Sequence, residues 1–204
     1  MQDRPVTPSG VGYDIVVVGT SWGGLAALRT LVVGLPETFM MAVTIVQHRH
    51  KDSDHLLRLL LQERSVLAVC DVEDKMPIEH GRIYVAPPDY HTLVETGHFS
   101  LSTEAPVRFS RPSIDVTFKS AADSYTHRVV GIVLTGANAD GAEGLREISD
   151  RGGMAIVQDP ATAESPTMPA AAVKAVPRAR VMALPAIIDF LRTLPAGVPE
   201  REEA

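Results

Sequence analysis

Six short apolar runs decide most of what this chain can fold into: YDIVVV (13–18), AVTIVQ (42–47), VLAVC (66–70), VVGIVL (129–134), MAIVQ (154–158) and RVMA (180–183). They are largely continuous rather than alternating, which is the pattern of strands buried on both faces. Helical or mixed segments follow them: a helix is expected over about 23–34 and another from Asp54 to Glu63. Strands separated by helices predict an α/β fold, a doubly wound and mainly parallel sheet covered by helices on both faces. The middle breaks the rhythm. GRIYVAPPDYHTLVETGHFSLS holds three short alternating runs, with Pro87-Pro88 and Thr96-Gly97 as turns. It predicts a short antiparallel edge section around residues 82–102. RPSIDVTFKSAADSY then predicts a helix with Pro112 at its entrance and Ser113 as its cap.

A chain of 204 residues suits one domain. Its bounds are expected at 13–194, after a flexible lead (1–12) and before a flexible acidic tail (195–204). The net charge of −6 provides no basic footprint for nucleic acid or anionic lipid. No apolar run approaches the roughly 20 residues of a membrane helix. The start, MQDRPVTPSGVG, lacks the basic and apolar regions of a signal peptide. One cysteine, Cys70, allows neither an intrachain disulfide nor a cysteine-based metal site. The histidines of HRH (48–50) have no third ligand at a convincing spacing, so neither metal nor cofactor is expected. These features point to the cytoplasm.

Ligands of an open parallel sheet bind beyond the carboxyl ends of its strands. The first run delivers Gly19, Thr20 and Ser21 there, and the second Gln47 and His48. The third delivers Asp71, VVGIVL delivers Thr135, Gly136, Asn138 and Asp140, and the next delivers Asp159. Serine, histidine and carboxylate are the inventory of nucleophilic acyl transfer: the imidazole takes the hydroxyl proton and the carboxylate steadies the imidazolium. Ser21 also stands at a strand-to-helix turn, GTSWGG, whose first N–H groups have no helical partner and can stabilise an oxyanion. GTSWG formally matches the G-x-S-x-G elbow of α/β-hydrolases. The order along the chain argues against that fold, because His48 precedes most candidate acids. GTSWGG is neither G-x-G-x-x-G nor a phosphate loop with its lysine.

Each candidate has a plainer role as well. Ser21 suits a helix cap, and His48 a satisfied structural histidine. Asp140 followed by Glu143 suits a capping box. Trp22 and Tyr90 suit either pocket walls or ordinary packing. Asp71 and Asp159 compete with Asp140 for the acid role, and periodicity does not choose among them.

Five ordered stretches resemble the catalytic domain of CheB-type chemotaxis protein-glutamate methylesterases. VVVGTSWGGLAALRTLVVGLP is similar to that family's strand, G-[AT]-S-x-G-G turn and helix, and IVQH to its second strand and histidine. RPSIDVTFKSAA resembles a signature segment, GIVLTGANADGAEGL the loop T-G-M-G-x-D-G-A-x-G-L, and QDPATAESPTMPAAAV another recurrent stretch. The resemblance spans about residues 13–193. It implies Ser21 as nucleophile, His48 as base and Asp140 as acid, with Trp22, Gly23, Ala137 and Asn138 at the oxyanion site and pocket. It further implies hydrolysis of γ-glutamyl methyl esters on the cytoplasmic domain of methyl-accepting chemoreceptors, and deamidation of certain receptor glutamines. Trp22 stands where Thr is usual, Ala137 where Met is usual, and RHKDSDHLL replaces a Pro-containing segment. Those departures bear on substrate preference. Residues 1–12 have no room for the family's usual receiver domain, so a stand-alone catalytic domain or a fragment is expected. The alternatives are a hydrolase of another ester or amide on the same fold, and a non-catalytic receptor-binding module.

Overall fold

The computed structural model describes residues 12–49 and 56–197. Strand β1 (Ile15–Thr20) lies at the centre of a seven-stranded sheet. The chain leaves it through helix α1 (Gly24–Gly34) and returns alongside as β2 (Ala42–Gln47). Helix α2 (Leu56–Gln62) leads to the edge strand β3 (Ala68–Asp71), and β4 (Arg82–Val85) then fills the place between β3 and β2. A separate hairpin follows, β5 (His91–Glu95) and β6 (His98–Ser102). Helix α3 (Ile114–Tyr125) carries the chain to the other side of β1, where β7 (Val129–Val133) pairs with it. Helix α4 (Ala142–Asp150), β8 (Met154–Gln158), α5 (Thr167–Ala175), β9 (Arg180–Met182) and α6 (Leu184–Leu191) complete the sheet order β3-β4-β2-β1-β7-β8-β9. All its pairings are parallel. The doubly wound α/β sheet expected from the apolar runs is therefore the fold.

The apolar runs are continuous because each face of the sheet has its own core. Val16 and Val18 pack with Leu28 and Leu31 of α1, Leu57 and Leu61 of α2 and Ile187 of α6. Ile15 and Val17 face the opposite way, with Ile114 and Phe118 of α3, Leu145 and Ile148 of α4 and Met168 of α5. Burying one such side chain contributes about 1.5–3 kcal/mol, so polar residues gather at the strand ends.

The segment around residues 82–102 needs one correction. The antiparallel part is the hairpin β5–β6 alone, whereas β4 is a parallel strand inside the sheet, pairing with β2 and β3. As an inner strand β4 is covered on both faces, Tyr84 included. The ring is buried, 4.9 Å from that of Phe99, and its hydroxyl is satisfied by the Glu79 N–H and the Pro77 carbonyl.

Asp54 and His55, the expected start of α2, lie outside the described residues, as do His50, residues 1–11 of the lead and 198–204 of the tail. Pro195–Gly197 runs beside Tyr13, which donates its N–H to the Pro195 carbonyl and accepts from Gly197. No helix among the described residues is long and apolar enough to cross a membrane.

Candidate active site

The direction of winding reverses at β1 and β7. From β1 the chain turns toward α1 on one face, and from β7 toward α4 on the other, so the two turns part and leave a crevice. Their backbone polar groups are tied across it. The Thr20 hydroxyl donates to the Thr135 carbonyl (2.7 Å), which also accepts the Ser21 N–H (3.0 Å). The Thr135 hydroxyl donates back to the Trp22 carbonyl (2.9 Å). Gly23 takes a left-handed conformation (φ 76°), and a Cβ there would come within 2.7 Å of the Glu164 carboxylate. Only glycine meets both conditions. Gly23 occupies the cap position of α1 and no side chain caps that helix, so Ser21 is not spent as a cap. The N–H groups of Trp22, Gly23 and Ala137 donate to no partner among the described residues.

His48 follows β2 and is drawn toward the β1 turn by its N–H, which donates to the Thr20 carbonyl (3.2 Å). Its ring reaches across β1 to the loop after β7. Nε2 lies 2.8 Å from Asp140 Oδ2, and the Asn138 amide nitrogen lies 3.2 Å from Nδ1. An ionised carboxylate only accepts, so the Nε2 proton points to Asp140 and Nδ1 carries the lone pair. Among the described residues the ring makes these two hydrogen bonds, and none to Ser21.

Asp140 is 1% exposed. Oδ2 accepts from His48 and the Ile114 N–H (2.7 Å); Oδ1 accepts from the Ser113 hydroxyl and the N–H groups of Asp115 and Gly141, each at 3.0 Å. Burial alone pushes the carboxyl upward. The hydrogen bonds from His48 and from the Asp115 and Ile114 N–H groups outweigh it and hold Asp140 below the ordinary carboxylate value. Its neighbour Asp115 behaves oppositely. Burial raises it, against the Gly144 N–H bond that lowers it, and the Asp140 charge raises it further.

The structure thus brings Ser21, Trp22, Gly23 and His48 around one cavity of about 530 Å³, which Arg29, Gln47 and Glu164 also line. Trp22 is 68% exposed at this cavity, which excludes ordinary core packing. Asn138 touches the ring of His48 from behind the cavity, and Ala137 is exposed on the same loop. Two rival carboxylates are engaged elsewhere. Asp71 ends the edge strand and pairs with Arg58 (3.2 Å), and Asp159 caps the turn at 160–162 through the Ala161 N–H. The capping box suggested by Asp140 and Glu143 does not form: Gly141 is the cap residue of α4, and Glu143 pairs with Arg108 at the surface. Tyr90 is exposed and lies outside the cavity wall. Ser113 stands at the cap position of α3, but its hydroxyl goes to Asp140.

Several contributors were not legible beforehand. Asp115 and Ser113 support Asp140, and Glu164 closes the wall beneath Gly23. The one signal for the first two was the start of α3, whose free N–H groups require acceptors. A second hollow of about 490 Å³ continues from His48 between Arg49, Asp89, Phe109 and Arg111. Among the described residues, no cluster of His, Cys, Asp and Glu side chains could hold a metal ion.

Comparison with known proteins agrees with this layout. The family model described as CheB methylesterase matches residues 16–191. The Leptospira interrogans protein named "Putative protein-glutamate methylesterase/protein-glutamine glutaminase" is 42% identical over 184 residues, 89% of this chain and 95% of its own length. A protein-glutamate methylesterase/protein-glutamine glutaminase of Anaeromyxobacter dehalogenans is 38% identical over 89% of this chain, which spans only 53% of that relative. The crystal structure of the Thermotoga maritima CheB methylesterase catalytic domain superposes with a TM-score of 0.84 at 29% identity, covering 89% of this chain and 98% of that one. A seven-stranded parallel sheet, a serine turn after its central strand and these matches lead to one conclusion: the chain belongs to the CheB methylesterase family.

Proposed function

We propose that this chain is a cytoplasmic serine hydrolase that removes methyl esters from glutamate side chains of chemoreceptor cytoplasmic domains and deamidates receptor glutamines. One observation carries the reading: the 2.8 Å hydrogen bond between His48 and Asp140, beside the cavity that Ser21 lines. Ser21 Oγ attacks the γ-carbonyl carbon while its proton passes to Nδ1 of His48. Asp140 stabilises the imidazolium through Nε2–H. The carbonyl oxygen becomes an oxyanion and is met by the N–H groups of Trp22 and Gly23 at the start of α1, with Ala137 opposite. The proton on Nδ1 then goes to the leaving oxygen or nitrogen, and methanol or ammonia departs. Water, deprotonated by the same nitrogen, attacks the acyl-serine and releases the glutamate carboxylate and the Ser21 hydroxyl. Ester and amide pass through the same kind of tetrahedral intermediate, so one set of residues serves both.

The two hollows that meet at His48 suit a protein surface better than a small free ester, and Trp22 and Phe109 stand exposed at them. Incubation with a methylated receptor cytoplasmic fragment should release methanol, and Ser21→Ala should release none. A folded protein that neither releases methanol nor reacts with a serine-directed fluorophosphonate would be a binding module. Labelling at Ser21 without methanol release would point to another ester or amide.

A further inference from the structure

A closed circuit of hydrogen bonds surrounds the imidazole. The Asp140 N–H donates to Asn138 Oδ1 (3.1 Å), Asn138 Nδ2 donates to His48 Nδ1 (3.2 Å), and His48 Nε2 donates to Asp140 Oδ2 (2.8 Å). Each bond fixes the sense of the next. The backbone N–H can only donate, so the Asn138 oxygen faces it and the amide nitrogen faces the ring. The ring must then accept at Nδ1 and donate at Nε2. Nδ1 is also the nitrogen that has to receive the Ser21 proton. In this arrangement its lone pair is already occupied, and the ring makes no bond to Ser21. An imidazolium would set an Nδ1–H against the Asn138 N–H, donor against donor.

We propose that Asn138 is a latch on the base: its side-chain amide holds His48 in the correct tautomer but masks Nδ1, and must swing away before the serine proton can transfer. This rests on the roles of Ser21 and His48 given above. Asn138 touches neither the attacking atom nor the ester, so it is a positioning residue acting through His48. Removing the amide frees the base. Replacing it by a carboxylate keeps the acceptor for the Asp140 N–H but puts a second carboxylate opposite Nδ1, which holds a proton on that nitrogen as well as on Nε2 and leaves no lone pair for the serine.

The experiment measures fluorophosphonate labelling and kcat/KM on a small ester for the parent protein, Asn138→Ala, Asn138→Asp and Ser21→Ala, with melting curves for each. Asn138→Ala should be faster by about fivefold, the worth of one ordinary hydrogen bond. Asn138→Asp should fall by at least about tenfold, since a ring already protonated at Nδ1 cannot take the serine proton. In 15N spectra of the ring, the parent should carry its proton on Nε2, and Asn138→Asp should carry one on Nδ1. The opposite pattern, Asn138→Ala slower and Asn138→Asp close to the parent, would overturn the latch and leave Asn138 as a turn residue supporting the Asp140 backbone. If a variant melts so low that rates cannot be compared, the ring spectrum of Asn138→Gln decides: an unchanged Nδ1 resonance would overturn the latch. Ser21→Ala keeps the two readings apart. A parent protein that labels no better than Ser21→Ala refutes the serine mechanism itself, whereas Ser21-dependent labelling that Asn138→Ala does not accelerate refutes only the latch.

Discussion

Asp115 and Asp140 each cap the helix that begins beside the other. Asp140 accepts from the N–H groups of Ile114 (2.7 Å) and Asp115 (3.0 Å) at the start of α3, while Asp115 Oδ1 accepts from Gly141 (3.0 Å) and Gly144 (2.7 Å) at the start of α4. A helix N-terminus favours negative charge, and each exchange satisfies N–H groups that no helical carbonyl can reach. The carboxylate that meets His48 is therefore positioned by two helices that meet at their N-termini.

The exchange does not require charge at Asp115. Asn keeps one acceptor oxygen for Gly141 and Gly144 and removes a buried charge beside Asp140. Asp115→Asn should melt at pH 7 no lower than the parent. Asp115→Ala leaves the Gly144 N–H without its acceptor and Gly141 with Asp140 alone, and should melt about 2–8 °C lower, from a capping loss of about 1–2 kcal/mol in a domain of this size. Equal losses in the two variants would show that the charge, not the acceptor, holds the helix starts.

The two carboxylates pull stability in opposite directions with pH. Asp140 titrates below its unfolded value of about 3.9, so its contribution is complete above that pH and is lost as pH falls through the folded value. Asp115 is raised, so its contribution favours folding below about 3.9 and is lost as pH rises through its folded value. The melting gap between the parent and Asp140→Asn should accordingly narrow as pH is lowered from about 5 to about 2, the window around and below that reference value. A constant gap across that range, followed by calorimetry, would contradict an ionised Asp140.

Loss of Ser21 should separate activity from folding. Among the described residues the half-buried Ser21 hydroxyl makes no hydrogen bond on which α1 depends, and no side chain caps that helix. Ser21→Ala should abolish methanol release while shifting the melting temperature by less than about 2 °C, as expected for a surface-turn change within about 0.5 kcal/mol. Retention of activity within tenfold of the parent would remove Ser21 from the nucleophile role.

Trp22 tests substrate preference. Its indole is 68% exposed beside the nucleophile, so truncation removes contact area without opening the core. Trp22→Thr should keep the melting temperature and change KM on receptor by more than about tenfold, near 1.4 kcal/mol, with small-ester kinetics nearly unchanged. Unchanged KM on receptor would leave the indole without a part in docking.

Much of this molecule was already determined by the order of residues. Continuous apolar runs can be satisfied only by burial on both faces, and helices between them can only cover a parallel sheet. Residues at the ends of those runs had to emerge on one edge, which is why Ser21, His48 and Asp140 were candidates together. What the tertiary structure decided is which of them meet. Asp71, Asp140 and Asp159 all stand at or beyond the ends of strands, and nothing local distinguishes them. Strand order does: β7 lies next to β1, β3 is at the far edge beyond β4, and Asp159 is turned back onto its own loop. The same holds for β4, which takes the place between β2 and β3, and for the exchanged caps of Asp115 and Asp140, whose bonds join residues 25 to 29 positions apart. Periodicity reports how a segment is buried; the choice of partner across the sheet is set by long-range packing, where all the runs compete for the same neighbours and local preference has to agree with the whole.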